Sequence, residues 1–265
     1  MVHPLRASLL LLVVSLVASL PAQDPAPAKG PDKEVADKIA VLKEVVADRK
    51  CARDDEGVSA IDVLLQKVQK GAEPKDQQAI VKALENVMTS GKLRPHDDTR
   101  LYRGAIYALG DCGAEGAKVL KDAYANKRYP DKPDWVPLRE HVLKHLGRTK
   151  DPSMVKFLIN EAVRSPEAAL SASAGEALGN FEQNNFEKSN EPVRKEIVSE
   201  LLRKYGELAE KASQIGTNIE AQNANDRLAA IKDKWDSTLA RLTGQNFKTF
   251  REWQAWHNKN KGAAW

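Results

Sequence analysis

Cysteine is the first scarcity: two residues, Cys51 and Cys112, in a chain of 265. At most one disulfide is available, so any large fold must rest on an apolar core. Aromatic side chains make up only 6%, and no stretch alternates apolar and polar residues with β-branched enrichment, so no strands are expected. Charge of one sign is missing as well. The 41 basic and 37 acidic side chains are interspersed and leave a net charge of +4, which does not suggest a concentrated basic face for nucleic acid. Also absent are a Gly-x-Ser-x-Gly elbow, a phosphate loop and a dinucleotide fingerprint. Carboxylates are plentiful, but helix faces rich in Asp and Glu are usually solvated and nominate no acid–base pair.

What is present is a helix-forming vocabulary of Ala, Leu, Val, Lys and Glu, with 42% hydrophobic and 29% charged residues. The N-terminus reads as a secretory signal over residues 1–22. Arg6 precedes an apolar run from Leu9 to Val17, and small residues follow at Ala18, Ser19 and Ala22. That run is too short for a stable membrane anchor, so no stable insertion is expected after cleavage. Residues 23–33 (QDPAPAKGPDK) read as a flexible Pro/Ala tether. The expected compartment is therefore outside the cytoplasm, periplasmic or extracellular.

From residue 34 onward apolar residues recur at helical spacing. Ten stripes are expected, from Val35, Ile39, Leu42 and Val46 to Leu228, Ile231, Trp235, Leu239 and Leu242. Asp151-Pro152 and Ser165-Pro166 read as helix starts. Gly71, Gly91, Gly110, Gly147 and Gly179 read as stops in the left-handed conformation. The amide-rich stretch Gln214 to Asp226 reads as a loop, and residues 245–265 as an aromatic cap or tail. The expected core includes Leu84, Leu101, Ile106, Leu109, Leu120, Leu143, Leu146, Leu158, Leu178 and Leu201.

Alternate helices share one frame. Leu101, Ala105 and Leu109-Gly110 spell Leu-x3-Ala-x3-Leu-Gly; Leu138, Val142 and Leu146-Gly147 repeat it, as do Leu170, Ala174 and Leu178-Gly179. The terminal glycines are 37 and 32 residues apart. Ala108-Leu109-Gly110 and Ala177-Leu178-Gly179 resemble the ending of HEAT-like repeats, and His145 stands where the middle copy should have Ala. Leu242-Thr243-Gly244-Gln245, followed by Phe and Trp residues, is similar to the C-terminal end of exported bacterial HEAT-like proteins. The resemblance implies an all-α fold, an α-α superhelix of about five antiparallel helix pairs over residues 34–244. A single pair cannot bury its stripe, so neighbours stack to share a core.

Chemistry has few candidates. His141 and His145 lie one helical turn apart beside Glu140, a spacing that would let both imidazoles reach one metal ion. The order Glu-His-x3-His is not the zinc-peptidase arrangement, and no third ligand is indicated by spacing. Di-iron hydroxylases and bilin lyases are enzymes of the HEAT-like class, but the His-Glu dipeptides of the former are missing. Trp253, Trp256 and Trp265 form a C-terminal cluster, read as a lid on the open end of the stack or as a contact site. The resulting expectation is a non-catalytic scaffold without a cofactor, presenting its repeat surface to a protein or peptide. The alternative is a metal-binding protein or enzyme using His141 and His145. Cys51 and Cys112 are expected to stay unpaired, because successive antiparallel helices place them at opposite edges.

Overall fold

The computed structural model describes residues 30–182, 191–214 and 219–265. The expected signal peptide and the tether up to residue 29 lie outside the described residues. Asp32 opens the first helix: its carboxylate accepts from the backbone N–H groups of Glu34 and Val35, satisfying donors that a helix start leaves unpaired. Eleven α-helices are described: α1 Lys33–Ala47, α2 Asp54–Gln69, α3 Pro74–Thr89, α4 Arg100–Leu109, α5 Gly113–Ala125, α6 Val136–Arg148, α7 Val155–Arg164, α8 Ala168–Leu178, α9 Glu191–Ala212, α10 Ile219–Thr243 and α11 Phe250–Asn260. No strand occurs among the described residues.

Each odd helix packs on the even helix that follows it, giving five antiparallel pairs from α1/α2 to α9/α10. The pairs stack in two layers. In one, α2, α4, α6, α8 and α10 lie side by side; in the other, α1, α3 and α5 are neighbours, and α9 sits between α7 and α11. This is an all-α superhelix, as expected. All ten predicted core positions have no solvent exposure, and each such burial is worth ~1.5–3 kcal/mol.

The frame glycines have a different cause from the expected one. Gly71 and Gly91 are left-handed, at φ +85° and +71°. Gly110 and Gly179, by contrast, are right-handed helical caps at φ −59° and −63°. Gly147 lies inside α6. Their role is close approach between repeats. A Cβ on Gly147 would lie 2.5 Å from the Ala177 carbonyl oxygen, and one on Gly110 would lie 3.1 Å from His145 Nδ1. Gly175 provides the tightest seat, since a Cβ there would lie 1.9 Å from Trp235 Nε1. Glycine therefore marks the seam where one even helix rests on the next.

Gly104 provides the control. A Cβ there would meet only the Ile61 side chain, at 3.6 Å, which is ordinary contact. Gly104→Ala is expected to stabilise the protein by ~0.5–1 kcal/mol, the usual gain in a helix interior. Gly147→Ala should destabilise it by ~1–3 kcal/mol through overpacking. Urea midpoints moving in the same direction for both variants would contradict this account of the seam.

Several boundaries differ from expectation. The Asp151 carboxylate does accept from Ser153 N, opening a short 3-10 turn, Pro152–Met154, before α7. Ser165 instead closes α7, and α8 begins at Ala168. The carbonyls of Ser165 and Pro166 are held by the Arg227 guanidinium, so a contact from a distant segment of the chain outweighs the local start signal. Most of the expected loop Gln214–Asp226 belongs to α10, because Ala221 and Ala224 bury against the stack and the helix penalty of amide residues is small. The C-terminal tail folds as α11. Its start is a capping box, in which Thr249 and Glu252 satisfy each other's backbone N–H groups.

Both cysteines are free thiols. Cys51 sits in the loop after α1, whereas the buried Cys112 donates to the Ala108 carbonyl at 3.3 Å. Burial pushes the Cys112 thiol up to about 12, which keeps it protonated and unreactive.

At the α1 end the core is crossed by one buried ion pair. Arg94, on the α3–α4 connection, binds Asp54 twice, Nη2 to Oδ1 at 2.8 Å and Nε to Oδ2 at 3.1 Å. The guanidinium also donates to the carbonyls of Val45 and Lys92, both at 3.0 Å. One side chain thus ties the end of α1 and the start of α2 to the loop entering α4.

Candidate functional site

The two histidines singled out by spacing do meet on α6, with ring centroids 4.4 Å apart. His141 Nε2 donates to the Arg103 carbonyl on α4 at 3.2 Å. His145 is buried, and its Nδ1 has no hydrogen-bond partner among the described residues. An N–H there would lack an acceptor and cost ~1–3 kcal/mol. Glu140 turns away toward α8 and α10. It accepts from Ser173 Oγ at 2.9 Å and lies 3.8 Å from Lys234 Nζ. Among the described residues no three His, Cys, Asp or Glu side chains converge as a metal site. The pair therefore offers two nitrogens on one helix, and one of those rings is already committed to a carbonyl.

Burial is the main force on His145, and the nearby His141, Arg148, Lys144 and Arg103 add to it; together they push its pKa down to about 3. His141 is lowered too, chiefly by burial. In the unfolded chain a histidine titrates near ~6.5, so the unfolded state binds the proton more readily. Stability from neutral His145 is complete above that value and is lost as pH falls toward about 3. Between about pH 7.5 and about pH 4.5 this residue should remove ~2–3 kcal/mol of unfolding free energy. Urea titrations of wild type and His145→Ala at both pH values check this: the variant should show a smaller acid-induced loss by that amount. Equal losses would mean that His145 is solvated.

His145 also supports the surface above it. Its ring contacts Tyr107 edge-on, with centroids 5.1 Å apart. Tyr107 is 41% exposed, and the Arg148 guanidinium carbon lies 4.2 Å from its ring centre. Asp111 fixes Arg148 at 2.7 Å and also accepts from Gln69 on α2. Tyr107 is thus a rigid, half-exposed aromatic with a stacked cation. On either side Arg103 and Lys144 are exposed, with no carboxylate partner among the described residues. Tyr107 and Arg148 were not singled out from sequence. The signal was there, because a frame that buries Leu101, Ala105 and Leu109 turns Arg103 and Tyr107 outward.

The C-terminal tryptophans separate. Trp253 has no solvent exposure, and its Nε1 donates to Asp236 at 3.0 Å. Phe247 packs edge-on against it. Trp256 and Trp265 are half-buried and contact each other at 5.2 Å. The buried Arg194 of α9 donates to the carbonyls of Leu242, at 2.9 Å, and Trp265. The cluster closes the α9–α10 end of the stack. Trp253 belongs to the interior and presents no surface for a contact.

Compared with protein-family models, curated proteins and solved structures, the chain matches none.

Proposed function

We propose that the chain is an exported, non-catalytic scaffold of HEAT-like type that presents its even-helix layer to a protein or peptide partner in the cell envelope. The observation that carries this reading is the Tyr107 surface. Tyr and Arg are the side chains most enriched where binding energy concentrates. Here the aromatic is held in place before any partner arrives, by Arg148 above and His145 behind, so little ordering entropy remains to be lost on association. Export is supported by the charge and apolar pattern of residues 1–22. Among the described residues no helix is long and apolar enough to cross a membrane.

A photocrosslinking amino acid at position 107 tests the reading in the native host, with the same probe at Lys156 on α7 as control. A discrete covalent adduct specific to position 107, recovered from the envelope fraction, is the expected result. Adducts of equal yield from both positions, or none, would reject the scaffold. Stoichiometric zinc or iron in purified protein, lost in His145→Ala, would replace it with the metal-binding alternative.

A further inference from the structure

Toward the α9–α10 end of the stack, the α7–α8 turn, α9 and the start of α10 line an open cleft of about 540 Å³. Its floor is apolar: Val163, Leu208 and Ala224 are buried there. Its walls are cationic. Arg164 ends α7, Lys204 and Lys211 come from α9, and Arg227 comes from α10, whereas Glu220 is the one carboxylate in the lining.

Four cations against one carboxylate is a local excess in a chain whose 41 basic and 37 acidic residues otherwise nearly cancel. Two of the cations have structural duties. Arg227 clamps the Ser165 and Pro166 carbonyls, and Lys204 lies 3.3 Å from Glu207. Arg164 and Lys211 are exposed, and neither has a carboxylate partner among the described residues. Like charges gathered around an apolar floor repel one another unless an anion joins them.

We infer that this cleft binds an acidic peptide segment, seating an apolar side chain on Val163, Leu208 and Ala224 while flanking carboxylates meet Arg164 and Lys211. The volume falls within the range of sites that enclose a drug-sized ligand or a few residues. The apolar floor favours a peptide over a free inorganic anion, which would leave that floor uncovered. The choice of a peptide rests on the scaffold reading; the charge and the cleft do not.

The test uses the full mature chain and a fluorescein-labelled peptide, Glu-Glu-Leu-Glu-Glu-Leu, followed by anisotropy. Saturable binding that weakens with salt is expected. The double variant Arg164→Glu with Lys211→Glu should raise Kd by about tenfold or more. A control pair at remote surface lysines, Lys43→Glu with Lys82→Glu, should change it by less than about twofold. Circular dichroism confirms that both variants remain helical. No binding by wild type, or an equal loss in the control pair, would overturn the inference. So would a Ser-for-Leu peptide binding equally well while inorganic phosphate competes, because the site would then recognise charge alone. Crosslinking at position 107 reads a different surface, so either result can fail while the other stands.

Discussion

Replacing Asp54 with Ala is expected to lower the unfolding free energy by ~3–5 kcal/mol, because it leaves a guanidinium buried without its counter-charge. Arg94 and Asp54 are 1% and 0% exposed at their side chains, so water cannot replace the missing carboxylate. A guanidinium keeps its proton at any ordinary pH, so Arg94 cannot escape by becoming neutral once Asp54 is gone. The damage should reach beyond α2, because Arg94 also donates to the carbonyls of Val45 and Lys92. Exchanging both partners for apolar residues, Asp54→Leu with Arg94→Met, should recover much of the loss, since a buried pair contributes little net stability over a packed apolar substitute. Urea unfolding followed by circular dichroism measures both variants. A loss below about 1 kcal/mol for Asp54→Ala would place the pair in the solvent-exposed class.

Truncating Trp253 to Ala should cost ~3–5 kcal/mol, the range for a large aromatic removed from a core. The indole is fully buried, contacts Phe247, and donates to Asp236, so the variant loses both packing and a satisfied donor. The helix α11 has 11 residues, too few to persist without tertiary support, and should become sensitive to proteases in the variant. Trp265→Ala provides the comparison. Its ring is half-buried against Trp256 and beneath the cations of Arg194 and Lys195, so a smaller loss is expected. If Trp253→Ala unfolded at the wild-type urea midpoint, the tail would not be the cap of the stack.

The candidate site was legible only in part. Helical spacing was enough to bring His141 and His145 together, because residues one turn apart share a face in any helix. The fate of Glu140 was not readable, since its partners Ser173 and Lys234 come from α8 and α10. The cationic cleft was hidden for the same reason. Arg164, Lys204, Lys211 and Arg227 are spread over more than sixty positions and look like ordinary solvated charges until three helices gather them.

Local order was determined by the sequence alone. The 3.6-residue period, the Leu-x3-Ala-x3-Leu-Gly frame and the lack of strand patterning led to an all-helical stack of five pairs and to ten core positions that are all fully buried. Such signals are local, because one amphipathic stripe reports its own buried face whatever covers it. Tertiary structure decided what each helix rests on. Gly147 is glycine because the Ala177 backbone passes over it, not because a turn requires a left-handed residue. The stretch Gln214–Asp226 is largely helix because Ala221 and Ala224 are buried, and the aromatic tail is a cap because Trp253 finds Asp236 and Phe247. In each case the deciding neighbour lies outside the helix concerned, and packing energy between segments exceeds the few tenths of a kcal/mol that separate local preferences.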